Sequence, residues 1–82
     1  MNSLYVDFHN TDPVGRVRLN TIGSIKDLNR QGTILQNGLA VRLYCEEFEV
    51  TGTVEFSSEE HIWTARYRWE DRKAISNAAE EP

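Results

Sequence analysis

The sequence predicts a mainly β fold: a small, strongly bent antiparallel sheet or partly open barrel of four to five strands, with one short helix at about residues 24–31. Strand-favouring Val, Ile, Thr, Tyr, Phe and Trp supply 25 of the 82 residues, enough for several strands in so short a chain. Apolar and polar residues alternate with period two in several segments, whereas helical spacing occurs once, over about two turns. Turn-forming Asn, Asp, Gly and Pro separate these segments at short intervals.

Leu4, Val6 and Phe8 alternate with Tyr5 and Asp7, as in an edge strand closed by Asn10, Thr11, Asp12 and Pro13. Val14–Leu19 reads as a second strand, with Val17 and Leu19 on one face and Arg16 and Arg18 on the other. Ser24 is placed to cap a helix in which Ile25 and Leu28 share a face, and Gly32 suits the left-handed position after its end. Thr33–Gln36 reads as a short strand entering a two-residue hairpin at Asn37-Gly38.

Leu39–Cys45, Phe48–Phe56 and His61–Trp69 then alternate in succession, with Val41, Leu43, Val50, Val54, Trp63 and Tyr67 inward. A two-residue turn at Glu46-Glu47 pairs Leu43 with Val50, Tyr44 with Glu49 and Arg42 with Thr51. A loop at Ser57–Glu60 pairs Val54 with Trp63, Thr51 with Arg66 and Glu49 with Arg68. Gly52 falls on the inward side, where it permits a bend or close packing. The architecture most compatible with these elements is SH3-like. Residues 1–73 form the expected single domain, and 74–82 an expected disordered tail.

The composition, 39% hydrophobic and 27% charged, is that of a globular domain and not of a disordered chain. No run approaches the ~18 apolar residues of a membrane helix, and the first residues lack a secretory pattern. A lone cysteine, Cys45, allows neither an intrachain disulfide nor a zinc cage. The expectation is a soluble, cytoplasmic domain.

Chemistry is sparse. His9, His61 and Cys45 have no metal-ligand spacing. A Cys45–His61 dyad lacks an orienting third residue. Glu46, Glu47, Glu49, Glu59 and Glu60 fall in turns or on a solvated face, where they serve solubility and protect strand edges. Glycine-rich phosphate loops are absent. The sequence therefore points to no enzyme, no cofactor and no metal.

Net charge is -4, opposite to that of most domains that grip nucleic-acid phosphates. Seven of the nine Lys and Arg residues are arginine, which suits planar recognition. The two registers place Arg42, Thr51 and Arg66 in one row of the outer face, and Tyr44, Glu49 and Arg68 in the next. Arg and Tyr are enriched at binding hot spots. Trp69, beside the polar run Glu70–Lys73, is the tryptophan placed to reach the surface. Arg42, Tyr44, Arg66, Arg68 and Trp69 are thus the candidate partner-binding residues of a small accessory or regulatory protein that binds another protein. The alternative is a small barrel that stacks single-stranded RNA or DNA on the same face.

Overall fold

The computed structural model describes residues 2–75. The chain is mainly β with one helix, as predicted. Its elements are β1 (Asn2–Tyr5), β2 (Val17–Arg18), α1 (Ile22–Gln31), β3 (Ala40–Tyr44), β4 (Phe48–Ser57), β5 (Ile62–Tyr67), a 3-10 turn (Trp69–Asp71) and β6 (Lys73–Ala74). The sheet has the order β1-β3-β4-β5-β2, with β6 added to β4, and is open rather than closed into a barrel. It is also mixed, because β1 runs parallel to β3, from Asn2 opposite Val41 to Tyr5 opposite Tyr44. The long connection through β2 and α1 supplies the crossover that a parallel pair requires.

The core joins Leu4 and Val6 to Val41, Leu43, Val50, Val54, Ala65, Val17 and Leu19, all buried. Trp63 and Tyr67 pack against this cluster without being fully enclosed. Gly52 stands where β3 and β5 flank the long β4. A Cβ there would lie 2.7 Å from a Leu43 methyl and 2.9 Å from the Arg66 carbonyl, so only glycine permits this approach.

The β1 edge is closed without strand pairing and the β2 edge by a single antiparallel bridge between Thr11 and Val17, which together remove free groups that a barrel would join. At the β1 edge, α1 supplies polar side chains. Gln31 accepts from the Ser3 amide at 3.2 Å and donates to the Ser3 carbonyl at 2.6 Å. Asp27 accepts from the Tyr5 amide at 2.8 Å, and Ser24 donates to the Tyr5 carbonyl at 2.6 Å. Residues 24, 27 and 31 follow helical spacing, so one face of α1 substitutes for a neighbouring strand. At the other edge the Arg18 amide donates to the Asn10 carbonyl, and the Asp12 amide to that of Arg16.

Several elements differ from expectation. The helix starts earlier, capped by Thr21, whose Oγ1 accepts from the Ser24 amide at 3.2 Å. Ser24 is therefore inside the helix and buried. Ile25 is 48% exposed, because α1 meets the sheet through the polar face of Ser24, Asp27 and Gln31, with Leu28 but not Ile25 packed against the core. Gly32 does end the helix in the left-handed region, at φ 64°. Only Val17–Arg18 of the second predicted strand pairs regularly. Upstream, the Asp12 carboxylate accepts from the Val14 and Arg16 amides and folds the chain into a turn. Thr33–Gln36 is not a strand and Asn37-Gly38 makes no hairpin, since β1 and β4 already occupy both edges of β3. That turn instead docks on β4, with Asn37 Oδ1 accepting from the Phe56 amide and the Gly38 amide donating to Val54.

The β3–β4 register is as predicted, with Leu43 opposite Val50 and Arg42 opposite Thr51. The β4–β5 register lies two residues from the prediction, with Thr53 opposite Arg66 and Phe56 opposite Trp63. Ser57 stays in the strand opposite Ile62, and His61 reverses the chain at φ 60°. A non-glycine residue in that region leaves no turn signature in the sequence. The domain also extends past the predicted boundary at 73. Ala74 pairs with Phe48, and the Ile75 amide donates to the Glu47 carbonyl. The rest of the expected tail, residues 76–82, lies outside the described residues.

Candidate functional site

The predicted site residues separate into two regions. Arg42 and Tyr44 on β3 and Arg66 on β5 belong to the outer face of the sheet. The two-residue register shift removes Arg66 from the Arg42–Thr51 row, and Lys73 of β6, rather than Arg68, stands opposite Glu49.

Every arginine of this outer face has an acidic partner on the chain. Arg42 pairs with Glu49, its guanidinium 4.9 Å from the Tyr44 ring centroid. Arg66 holds Glu55 at 2.9 Å, and Arg16 bridges Glu55 at 3.2 Å and Asp12 at 2.8 Å. Arg18 grips both oxygens of Glu60 at 2.8 Å. The hydrogen bond from Arg66, aided by Arg16, holds the Glu55 carboxyl below the usual range. Tyr44 is anchored as well, donating its hydroxyl to Asp27 at 2.8 Å. Burial alone would raise Asp27, but the Tyr5 amide, the Tyr44 hydroxyl and Arg30 outweigh it and keep the carboxyl below its ordinary value. Arg68, at the start of the 3-10 turn, lies 3.5 Å from Glu70 and 3.8 Å from Asp71. A hollow of about 380 Å³ among Arg42, Glu49, Thr51, Asp71 and Lys73 is the concavity on this face.

Trp69 belongs to the other region. Alternation aims Phe8, Phe48 and Tyr67 to the core side, but beyond the aliphatic core they meet one another and Trp69. Ring centroids are 4.8 Å apart for Phe8–Phe48, 5.4 Å for Phe8–Tyr67 and 5.4 Å for Phe48–Trp69. The cluster is open to solvent, with Trp69 48% exposed. The Arg72 guanidinium stacks on the indole, 3.8 Å from its centroid. Beside the cluster lies a groove of about 750 Å³ lined by Val6, Phe8, Phe48, Cys45 and Trp69 together with His9. Asp7, Glu46 and Glu47 stand along it. Glu46 accepts from the Tyr5 hydroxyl at 2.7 Å, which pushes the phenol up to about 12.

Sequence reasoning located Trp69 but missed Phe8, Phe48 and Arg72 as its companions. The signal was available for the two phenylalanines: both sit at the ends of apolar alternations, where a strand leaves the core. Arg72 carried none, because its stacking depends on the 3-10 turn. The structure does not bring Cys45 and His61 together. The Cys45 amide bonds Phe48 at one end of β4 and the His61 amide bonds Ser57 at the other, roughly 30 Å along the strand. Among the described residues no group of three His, Cys, Asp or Glu could hold a metal ion, and no helix is long and apolar enough to cross a membrane.

No family model, curated protein or solved structure matches this chain, so its functional reading rests on the geometry above.

Proposed function

We propose that this chain is a small, non-catalytic protein-interaction module whose docking surface is the aromatic groove at Trp69. One observation carries the reading. Trp69 is a half-exposed indole, fixed by three aromatic neighbours and a stacked arginine, that lines a largely apolar groove. Tryptophan held rigidly beside a groove gives a large contact area at low entropic cost, the usual anatomy of a binding hot spot. The groove volume also falls in the range of recognition pockets. On the outer face, by contrast, Arg42 and Arg66 already satisfy Glu49 and Glu55. Binding an acidic partner there would first break those pairs. The same pairing, with the net charge of -4, weighs against a nucleic-acid ligand.

The test is affinity capture with the immobilised full chain, comparing the parent with Trp69→Ala and with Arg42→Ala/Arg66→Ala. The proposal expects a saturable protein partner that Trp69→Ala loses and the arginine pair retains. Capture that survives Trp69→Ala would overturn it. A single-stranded RNA titration whose affinity collapses with salt would replace it with the nucleic-acid alternative.

A further inference from the structure

We infer that the groove receives a cationic polypeptide segment: one large apolar side chain seated against Phe8, Phe48 and Trp69, with flanking Lys or Arg residues. This rests on the docking surface proposed above and adds the chemistry of the partner.

The inference comes from how charge is distributed over the molecule. Eleven Asp and Glu residues lie among those described. Seven of them contact an arginine: Asp12, Asp27, Glu49, Glu55, Glu60, Glu70 and Asp71. Of the remaining four, Asp7, Glu46 and Glu47 all line the groove, and only Glu59 lies elsewhere. Three of the four acids that no arginine contacts thus fall on a single groove. The neighbours these three do have are neither Lys nor Arg. Asp7 accepts from the His9 amide at 2.9 Å, with the His9 ring nitrogen 3.5 Å away. Glu46 accepts from a neutral phenol, and the Glu47 carboxylate lies within 4.0 Å of no Lys or Arg among the described residues. Arg72 lies against the faces of Trp69 and Phe48 and forms no ion pair with these three acids.

The groove therefore offers an apolar lining and three carboxylates that no Lys or Arg among the described residues contacts within 4.0 Å, a net negative potential even with the single Arg72 charge stacked on Trp69. A segment of apolar side chains alone would leave that potential unanswered, and an acidic segment would be repelled. Lysine or arginine flanks meet it, and their aliphatic stems extend the apolar contact.

The experiment selects peptides from a random nonapeptide library displayed on phage, with the full chain as bait. The selected peptides are then synthesised and titrated by fluorescence anisotropy. The inference expects each to combine one Trp, Phe or Leu with at least two Lys or Arg. Trp69→Ala should weaken binding at least about tenfold, as loss of a hot spot does. Asp7→Asn/Glu47→Gln should weaken it about fivefold, and raising salt from about 50 to 500 mM should have a similar effect. Peptides that depend on Trp69 but carry no cationic flanks, or that ignore the neutralised acids, would overturn the partner chemistry and leave the docking surface standing. Peptides indifferent to Trp69→Ala, or no selected peptide at all, would overturn both. Self-association in sedimentation velocity that Trp69→Ala abolishes would assign the groove to a second copy of the chain and overturn the inference.

Discussion

The outer sheet face and the Trp69 groove are built from the same residue types, yet they differ in what they leave unsatisfied. Each has arginine, an aromatic ring and carboxylates. On the outer face the arginines and acids answer one another: Arg42 with Glu49, Arg66 and Arg16 with Glu55, Arg18 with Glu60. At the groove, the arginine stacks on an indole and the acids stand apart from it. The first arrangement pairs its charges within the molecule, and the second leaves its acids without an arginine contact, which is what the proposed partner chemistry rests on. Composition alone does not separate them; strand register does, because it decides which charges become neighbours.

The contrast breaks most visibly at Asp27. This buried carboxylate anchors the Tyr5 amide, the Tyr44 hydroxyl and Arg30. Asp27→Ala leaves a buried donor unpaired and frees the β1 edge, and should cost about 3 kcal/mol in urea unfolding. Gly52→Ala drives a methyl into Leu43 and the Arg66 carbonyl and should cost about 2 kcal/mol, the usual effect of overpacking. Both changes should leave the Trp69 surface intact in whatever fraction remains folded. Trp69→Ala should do the reverse, costing only about 1 kcal/mol for a half-exposed ring while removing partner capture.

Acid sharpens the same contrast. Asp12, Asp27, Glu46, Glu55, Glu60 and Glu70 all sit below their ordinary values. In acid the unfolded chain binds more protons than the folded one. Their contribution is therefore full above the ordinary carboxylate range and is lost as pH falls through the depressed values. The unfolding midpoint should decline steadily below about pH 4.5, and Asp27→Asn should make the decline shallower. The smallest effect is expected from Arg66→Ala. The exposed Arg66–Glu55 pair should shift the thermal midpoint by less than about 2 °C, with no loss of binding.

The sequence disclosed much of the fold because its central strands are half-buried and alternate. Val41, Leu43, Val50 and Val54 are core as predicted, and the β3–β4 register is as predicted, with Glu46-Glu47 connecting the hydrogen-bonded Cys45 and Phe48 although Glu-Glu is poor tight-turn chemistry. What was hidden has local causes. His61 turns left-handed without the glycine or asparagine that would announce it, and so the β4–β5 register moved by two and the predicted arginine row dissolved. The helix docks through Ser24, Asp27 and Gln31, a polar stripe that a search for apolar periodicity passes over. The parallel pairing of β1 with β3 joins segments far apart in sequence, and neither segment encodes its partner. Of the candidate site, Trp69 was legible from the polar run beside it. Its setting was not, because Phe8, Phe48, Tyr67 and Arg72 converge only when four separate segments are folded together.

The two tryptophans provide the most direct test, since each reports on a different part of the sheet. Trp69 stands at the groove, whereas Trp63 packs on Phe56 near the far end of β4, at 5.0 Å. In a nitrogen-15 correlation spectrum of the full chain, the two indole N–H groups give separate signals, which Trp69→Ala assigns. Titration with a library-selected peptide should move the Trp69 indole signal and the amides of Phe8, Phe48 and Glu47. The Trp63 indole and the amides of Arg42, Thr51 and Arg66 should stay in place. Shifts confined to Arg42, Thr51 and Arg66, with the Trp69 indole unmoved, would contradict the account and return the binding surface to the outer face of the sheet.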